Sequence, residues 1–240
     1  MVGKKATKKA NTNVKARTSK AKADDLKGSV MASELKASVG AGEWGKLALY
    51  QKVGIVLLVV VIAGLVGWIY EFLVGLIDVG GVYMQGGNLL PWINIYAIGA
   101  VLLLPVALKL RRWPWVVFLV SAVVTGVVEL VGGWLVYTIG NGVRYWNYDH
   151  GVWLVGNING FVCLLTVTIF GIFALLLTYI ILPFCMKLAL RWSRRVFLTV
   201  AISLFALVMM DECVNLCLKN AGLPNAVDFY QNLGWEYEEF

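Results

Sequence analysis

The chain has 240 residues, of which 60% are hydrophobic and only 15% charged, with ten tryptophans. That profile excludes an ordinary soluble domain. The net charge of +7 belongs to one end: twelve of the 21 Lys and Arg precede Val53, against four of the 14 Asp and Glu.

Several apolar runs reach the roughly 20 residues needed to cross a ~30 Å hydrocarbon core, and none shows the short alternating segments of a β-barrel. The fold class expected is all-α: a polytopic membrane helix bundle with about five transmembrane helices and a disordered basic N-terminal tail. The chain divides into that cytoplasmic tail over 1–50, a transmembrane helical domain over 51–220 and an acidic, aromatic extracytoplasmic tail over 221–240.

The tail is rich in Lys, Ala, Ser and Thr and has too little large apolar surface to fold alone. It lacks an apolar region near Met1, so it does not read as a cleavable signal peptide. Lys4, Lys5, Lys8 and Lys9 suit contact with anionic lipid or nucleic acid, but a solvated tail that sets topology is the simpler reading. Gly40, Gly45 and Lys46 have the spacing of a phosphate-binding loop. Leu47, however, stands where Ser or Thr must reach magnesium, and no strand precedes it, so the match is a coincidence.

The first span is expected over Val53–Ile77, where Gly67, Glu71 and Gly75 recur every four residues and share a face. Small residues beside a carboxylate let another backbone approach closely. A Gly-rich loop leads through Pro91 to a second span, Trp92–Leu110, with Asn94 and Tyr96 near its start. The third, Trp115–Ile139, repeats the first: Thr125, Glu129 and Gly133 share a face. A polar loop with Trp146, Asn147, Tyr148 and Asp149 leads through Asn157 and Asn159 into a fourth span, Asn159–Met186. A fifth, Val196–Leu218, carries Asp211, Glu212 and Asn215 in its last turns.

Placing the N-terminus inside puts 19 of the 21 basic residues on the cytoplasmic side, leaving Arg144 and Lys219 outside. The expected location is therefore the plasma membrane, with the C-terminus extracytoplasmic. In that orientation the acids collect outward. A carboxylate within a span is costly and marks function by default. The expected ligand-binding site is thus an outward-facing, acid-lined one built from Glu71, Glu129, Trp134, Trp146, Tyr148, Asn157, Asn159 and Asp211, suited to proton coupling or capture of a cationic group. Its competitor is a hydrogen-bond network that only holds helices together. No cofactor and no metal is expected. His150 is the sole histidine, and the four cysteines, Cys213 and Cys217 at i, i+4 included, read as small apolar fillers.

Gly67-Trp68-Ile69-Tyr70-Glu71, Glu129 with Gly133-Trp134, Trp146-Asn147-Tyr148 and Asn157-Ile158-Asn159-Gly160 together resemble the type IV, CmpB-like family of ABC-transporter permeases, bacterial multi-pass membrane proteins. The resemblance covers roughly residues 53–190. It implies a permease subunit; with no nucleotide-binding motif, active transport calls for an ATPase subunit or a proton gradient, and five helices alone make a small pore, which suits a homo-oligomer. The chain departs from the family pattern where Asn147 replaces Asp, where Phe161 replaces Arg, at Tyr137, near which the pattern has a second Glu, and around Asn94 and Ala97. Glu71 and Glu129 persist.

Three functions are compatible with these residues. A transporter subunit is favoured, followed by a structural or regulatory membrane protein. An intramembrane enzyme on lipid or envelope precursors comes last, because Ser121 and Ser203 have no adjacent base.

Overall fold

The computed structural model describes residues 41–78, 82, 87–142, 144 and 146–236. The expectations for the tail therefore fall mostly outside the described residues. Its last part is helical: α1 (Ala41–Lys46) contains Gly45 and Lys46 of the apparent phosphate loop, Gly40 lying outside the described residues, and Leu47 behind it is buried in the core. A helical turn cannot wrap its amides around a phosphate, which agrees with dismissing that match.

Among the described residues four helices are long and apolar enough to cross a membrane: α2 (Leu49–Asp78), α4 (Pro114–Ile139), α5 (Leu164–Arg191) and α6 (Arg194–Asn220). The expected second span is α3 (Asn94–Lys109), at 16 residues about 24 Å long and short of a full crossing. The helices pack in up-and-down order, with α2 against α3, α5 and α6, and α4 against α5. A dry core joins Ile55, Leu58 and Val59 of α2 to Leu103, Leu104, Leu182, Cys185 and Phe197. Cys163 and Cys185 are buried, but Cys213 and Cys217 lie exposed on α6 instead of filling core space.

The basic residues gather at one end. There Gln51 Nε2 donates to Ala189 O at 2.9 Å, the Tyr179 hydroxyl donates to Arg111 O at 2.6 Å, and the Arg194 guanidinium covers the Tyr50 ring at 5.1 Å. Close to that end α5 carries a π turn over Leu177–Ile181. Pro183, two residues on, has no N–H for the carbonyl of Tyr179, which favours the wider turn.

Two connections at the other end fold back along the bundle. Residues 87–93 descend beside α2 in extended form until Ile93 N–H donates to Gly64 O at 3.1 Å and Trp92 Nε1 donates to Val60 O at 3.2 Å. Only glycine at 64 permits this, because a methyl group there would overlap the Trp92 indole. We expect Gly64→Ala to lower stability by about 2 kcal/mol, the usual cost of overpacking, as read from thermal melting in detergent. The second connection, 140–163, seats Phe161 on Gly133, where an added Cβ would come within 2.8 Å of the ring. It includes a 3-10 turn at Gly151–Leu154 and left-handed residues at Asn141 and Asn159.

After α6 the chain turns at Gly222 into α7 (Ala226–Asn232), capped by Asn225. The C-terminal segment folds onto the bundle: Trp235 packs against Phe72, and the Tyr230 hydroxyl donates to Leu89 O at 2.7 Å.

Candidate functional site

The buried face of α4 is a file at spacing four, Val117, Ser121, Thr125, Glu129 and Gly133. Thr125 returns its hydroxyl proton to Ser121 O at 2.8 Å, while the buried Ser121 Oγ has no hydrogen-bond partner among the described residues. Glu129 stands ten residues inside the Ile139 end, about 15 Å deep. It is reached there because the 140–163 connection folds inward. The Tyr148 hydroxyl donates to Glu129 Oε1 at 3.0 Å, and the Thr166 hydroxyl lies 3.0 Å from Glu129 Oε2. Thr166 sits in the first turn of α5, so the carboxylate also faces the positive end of that helix.

Glu71 projects from α2 to the first turn of α3, where Tyr96 donates its hydroxyl to Glu71 Oε1. Gly67, one turn before Glu71, gives the Tyr96 ring its seat. Glu71 lies within electrostatic reach of Glu129, and Tyr70 within reach of both. The Tyr70 ring stands edge-on to Tyr96 at 6.0 Å and to Phe173 at 5.3 Å, and Phe170 closes the aromatic wall at 5.8 Å from Tyr96. Burial pushes the Tyr148 phenol far above its ordinary pKa, and the charges of Glu129 and Glu71 add to the shift. Tyr148 is therefore a neutral donor, not a competing anion. Among the described residues neither carboxylate has Lys, Arg or His within ion-pair distance.

The other expected site residues fall into two further groups. Trp146, Asn157 and Asn159 build the connection. Trp146 Nε1 donates to Phe161 O at 2.8 Å, the Asn157 amide donates to Tyr148 O and accepts from Gly160 N–H at 2.7 Å, and Asn159 O accepts from Arg144 Nη1 at 2.8 Å. Trp134, Asn157 and Asn159 also line an open hollow of about 530 Å³ whose walls include neither Glu71 nor Glu129.

Asp211 belongs elsewhere. It stands nine residues inside the end of α6, where its Oδ2 accepts from Leu90 N–H at 2.8 Å and its Oδ1 from Asn215 Nδ2 at 2.9 Å. Glu212 beside it accepts from Asn88 Nδ2 at 2.6 Å and Asn94 Nδ2 at 2.8 Å. These two acids satisfy the extended segment that replaces the first part of the second span. Tyr230, next to Asp211, is held above its ordinary pKa by burial first and by that carboxylate second.

Tyr70, Tyr96 and Thr166 are the neighbours of the two carboxylates that sequence reasoning did not single out as ligands, although Tyr96 was noted near the start of the second span. Tyr70 was visible beside Glu71; Thr166 gave no signal, because nothing local placed the start of α5 opposite Glu129. Arg144 lies beside Tyr137, Asn147 and Phe161. Its guanidinium lies 4.6 Å from the Phe161 ring centre, 5.1 Å from that of Tyr137 and 3.3 Å from Asn147 Oδ1. Among the described residues no group of three or more His, Cys, Asp and Glu is arranged to hold a metal.

A family model described as "Putative ABC-transporter type IV" matches residues 58–216, more than half of the chain. No curated protein and no solved structure matches it.

Proposed function

The chain belongs to the ABC-transporter type IV family, and from that premise we propose that it is the membrane-embedded permease component of a transporter, binding a proton or the cationic group of a solute between Glu71 and Glu129. One observation carries this reading. Two carboxylates from different helices, each holding a tyrosine hydroxyl, lie within electrostatic reach of one another, and among the described residues neither has a cation within ion-pair distance. Like charges in low dielectric repel strongly, so the pair needs a positive guest or a proton to be neutral. A purely structural network would be expected to pair its acids with bases, or to use amides in their place.

The geometry supports a route in which the 140–163 connection acts as the closing element. Tyr148 and Trp146 come from it, and Tyr148 reaches Glu129 from the loop end of α4. That end is the extracytoplasmic one if the basic residues at the other end lie in the cytoplasm, as the positive-inside rule requires. Among the described residues no phosphate-binding loop folds as one, and ATP-driven transport would draw on an ATPase subunit.

Replacing Glu71 and Glu129 by Gln, separately, tests the reading in cells lacking the native gene. Membrane abundance should stay at the wild-type level while the transport-dependent phenotype is lost. Loss of abundance in both variants would assign the carboxylates to folding, and full function in both would remove them from the mechanism.

A further inference from the structure

Arg144 is one of two basic residues outside the basic end and tail, and the Glu71–Glu129 pocket makes no use of it. Its guanidinium is held as a fixed plane by the rings of Phe161 and Tyr137, at 4.6 and 5.1 Å. Both of its hydrogen bonds, to Asn147 Oδ1 at 3.3 Å and Asn159 O at 2.8 Å, leave from Nη1. The N–H groups of Nε and Nη2 have no partner among the described residues, and no carboxylate there lies within ion-pair distance of the guanidinium. An arginine presents five donors in a planar fork that matches phosphate, and a cation fixed without a counter-charge beside a cavity is an anion site.

The cavity is the 530 Å³ hollow, and its walls specify the kind of anion. On the α4 side they are Trp134, 55% exposed, and Tyr137, 40% exposed, in the last turns of an apolar helix. Aromatic residues at such a position mark the headgroup level of a bilayer. On the connection side the wall is polar, with Asn159 and the exposed carboxylate of Asp149. We propose that this hollow binds the headgroup of a zwitterionic phospholipid, its phosphate on the free edge of the Arg144 guanidinium and its ammonium on Asp149, with the acyl chains running down the apolar outer face of α4.

Several features favour a lipid over a soluble phosphate. The same stretch of α4 that supplies Trp134 and Tyr137 exposes Val131, Leu135 and Ile139, an apolar surface for acyl chains next to a headgroup held in the hollow. Asp149 disfavours a second negative charge, which selects an ethanolamine headgroup over an anionic one. This assignment is independent of the reading of Glu71 and Glu129, whose pocket shares no wall with the hollow.

The test uses the full-length protein, delipidated in detergent, with short-chain phosphatidylethanolamine as probe and native mass spectrometry as readout. Binding should fall at least tenfold in Arg144→Gln and stay near the wild-type level in Lys20→Gln, a control in the basic tail. In Asp149→Asn the preference for phosphatidylethanolamine over phosphatidylglycerol should disappear. Glycerophosphoethanolamine and inorganic phosphate, which lack the chains, should bind far more weakly than the lipid. Unchanged lipid binding in folded Arg144→Gln would overturn the proposal. So would equal binding of the chainless phosphates, which would make this a soluble-anion site. Should Arg144→Gln fail to fold, the ligand series on the wild-type protein and on Asp149→Asn still decides: lack of preference between the two headgroups in the wild type refutes the assignment.

Discussion

Asp211→Ala should destabilise the protein by about 3 kcal/mol, measured by thermal or denaturant unfolding in detergent, whereas Asp211→Asn should cost under about 1 kcal/mol. The reason lies in the short second span. α3 supplies only 16 helical residues, and the extended segment before it exposes backbone donors that no helix satisfies. Within a bilayer such groups have no water to turn to, so irregular backbone survives only where protein covers it. Asp211 Oδ2 accepts the Leu90 N–H, Asp211 Oδ1 holds the Asn215 amide, and Asn215 Oδ1 in turn accepts Ala226 N–H at 2.8 Å, fixing the start of α7. Truncation orphans a part-buried donor and loosens two elements joined through one side chain, and an unsatisfied buried group costs about 1–3 kcal/mol alone. Asparagine keeps an acceptor for Leu90, and the Asn215 amide, which loses its side-chain acceptor, still donates to the main-chain O of residue 211 at 2.9 Å. Equal losses for the two substitutions would mean that charge, not hydrogen bonding, is what the segment needs.

This role also shows where the sequence was legible and where it was not. Hydropathy located the long helices to within a few residues, since a 25-residue apolar run leaves little choice of structure. The same signal could not show that Trp92 and Ile93 belong to an extended strip and not to a helix. Both are apolar, and the feature that decides the matter, Asp211 opposite Leu90, is 121 residues away. The face shared by Gly67 and Glu71, and that shared by Thr125 and Glu129, was readable from spacing alone, and it brought both carboxylates to the interior. Grouping every outward acid into one site went too far. Depth along a helix can be read from sequence, but direction around the bundle depends on packing, and α6 turns Asp211 toward Leu90 instead of toward Glu129. Arg144 was counted only as an exception to the charge pattern. Its seat between Tyr137 and Phe161 arises from the fold of a connection whose left-handed turns at Asn159 and Gly160 no periodicity reveals.

The second large effect belongs to the carboxylate pair, and it separates convergence from coincidence. Glu129→Gln and Glu71→Gln should each abolish the transport-dependent phenotype at unchanged membrane abundance, and the double variant should be no worse than either, because residues that act as a unit fail together. Glutamine preserves the packing here: its carbonyl oxygen still accepts one hydroxyl proton, and the remaining hydroxyl can accept from the amide instead. Stability should respond differently. With both groups ionised, each single substitution removes the same repulsion, so the double variant gains less than the sum of the singles. The coupling free energy should lie between about 0.5 and 3 kcal/mol. Its sign with pH follows directly: repulsion needs both negative charges, so the coupling is largest at alkaline pH and fades as acid protonates the pair. Glu129→Ala is a different perturbation. It leaves the Tyr148 and Thr166 hydroxyls without their shared acceptor and should speed amide exchange over residues 146–163 as the connection loosens. Additivity of the two Gln substitutions within about 0.3–0.5 kcal/mol at every pH would mean that the carboxylates do not sense each other. A site that holds one positive guest between them could not then exist.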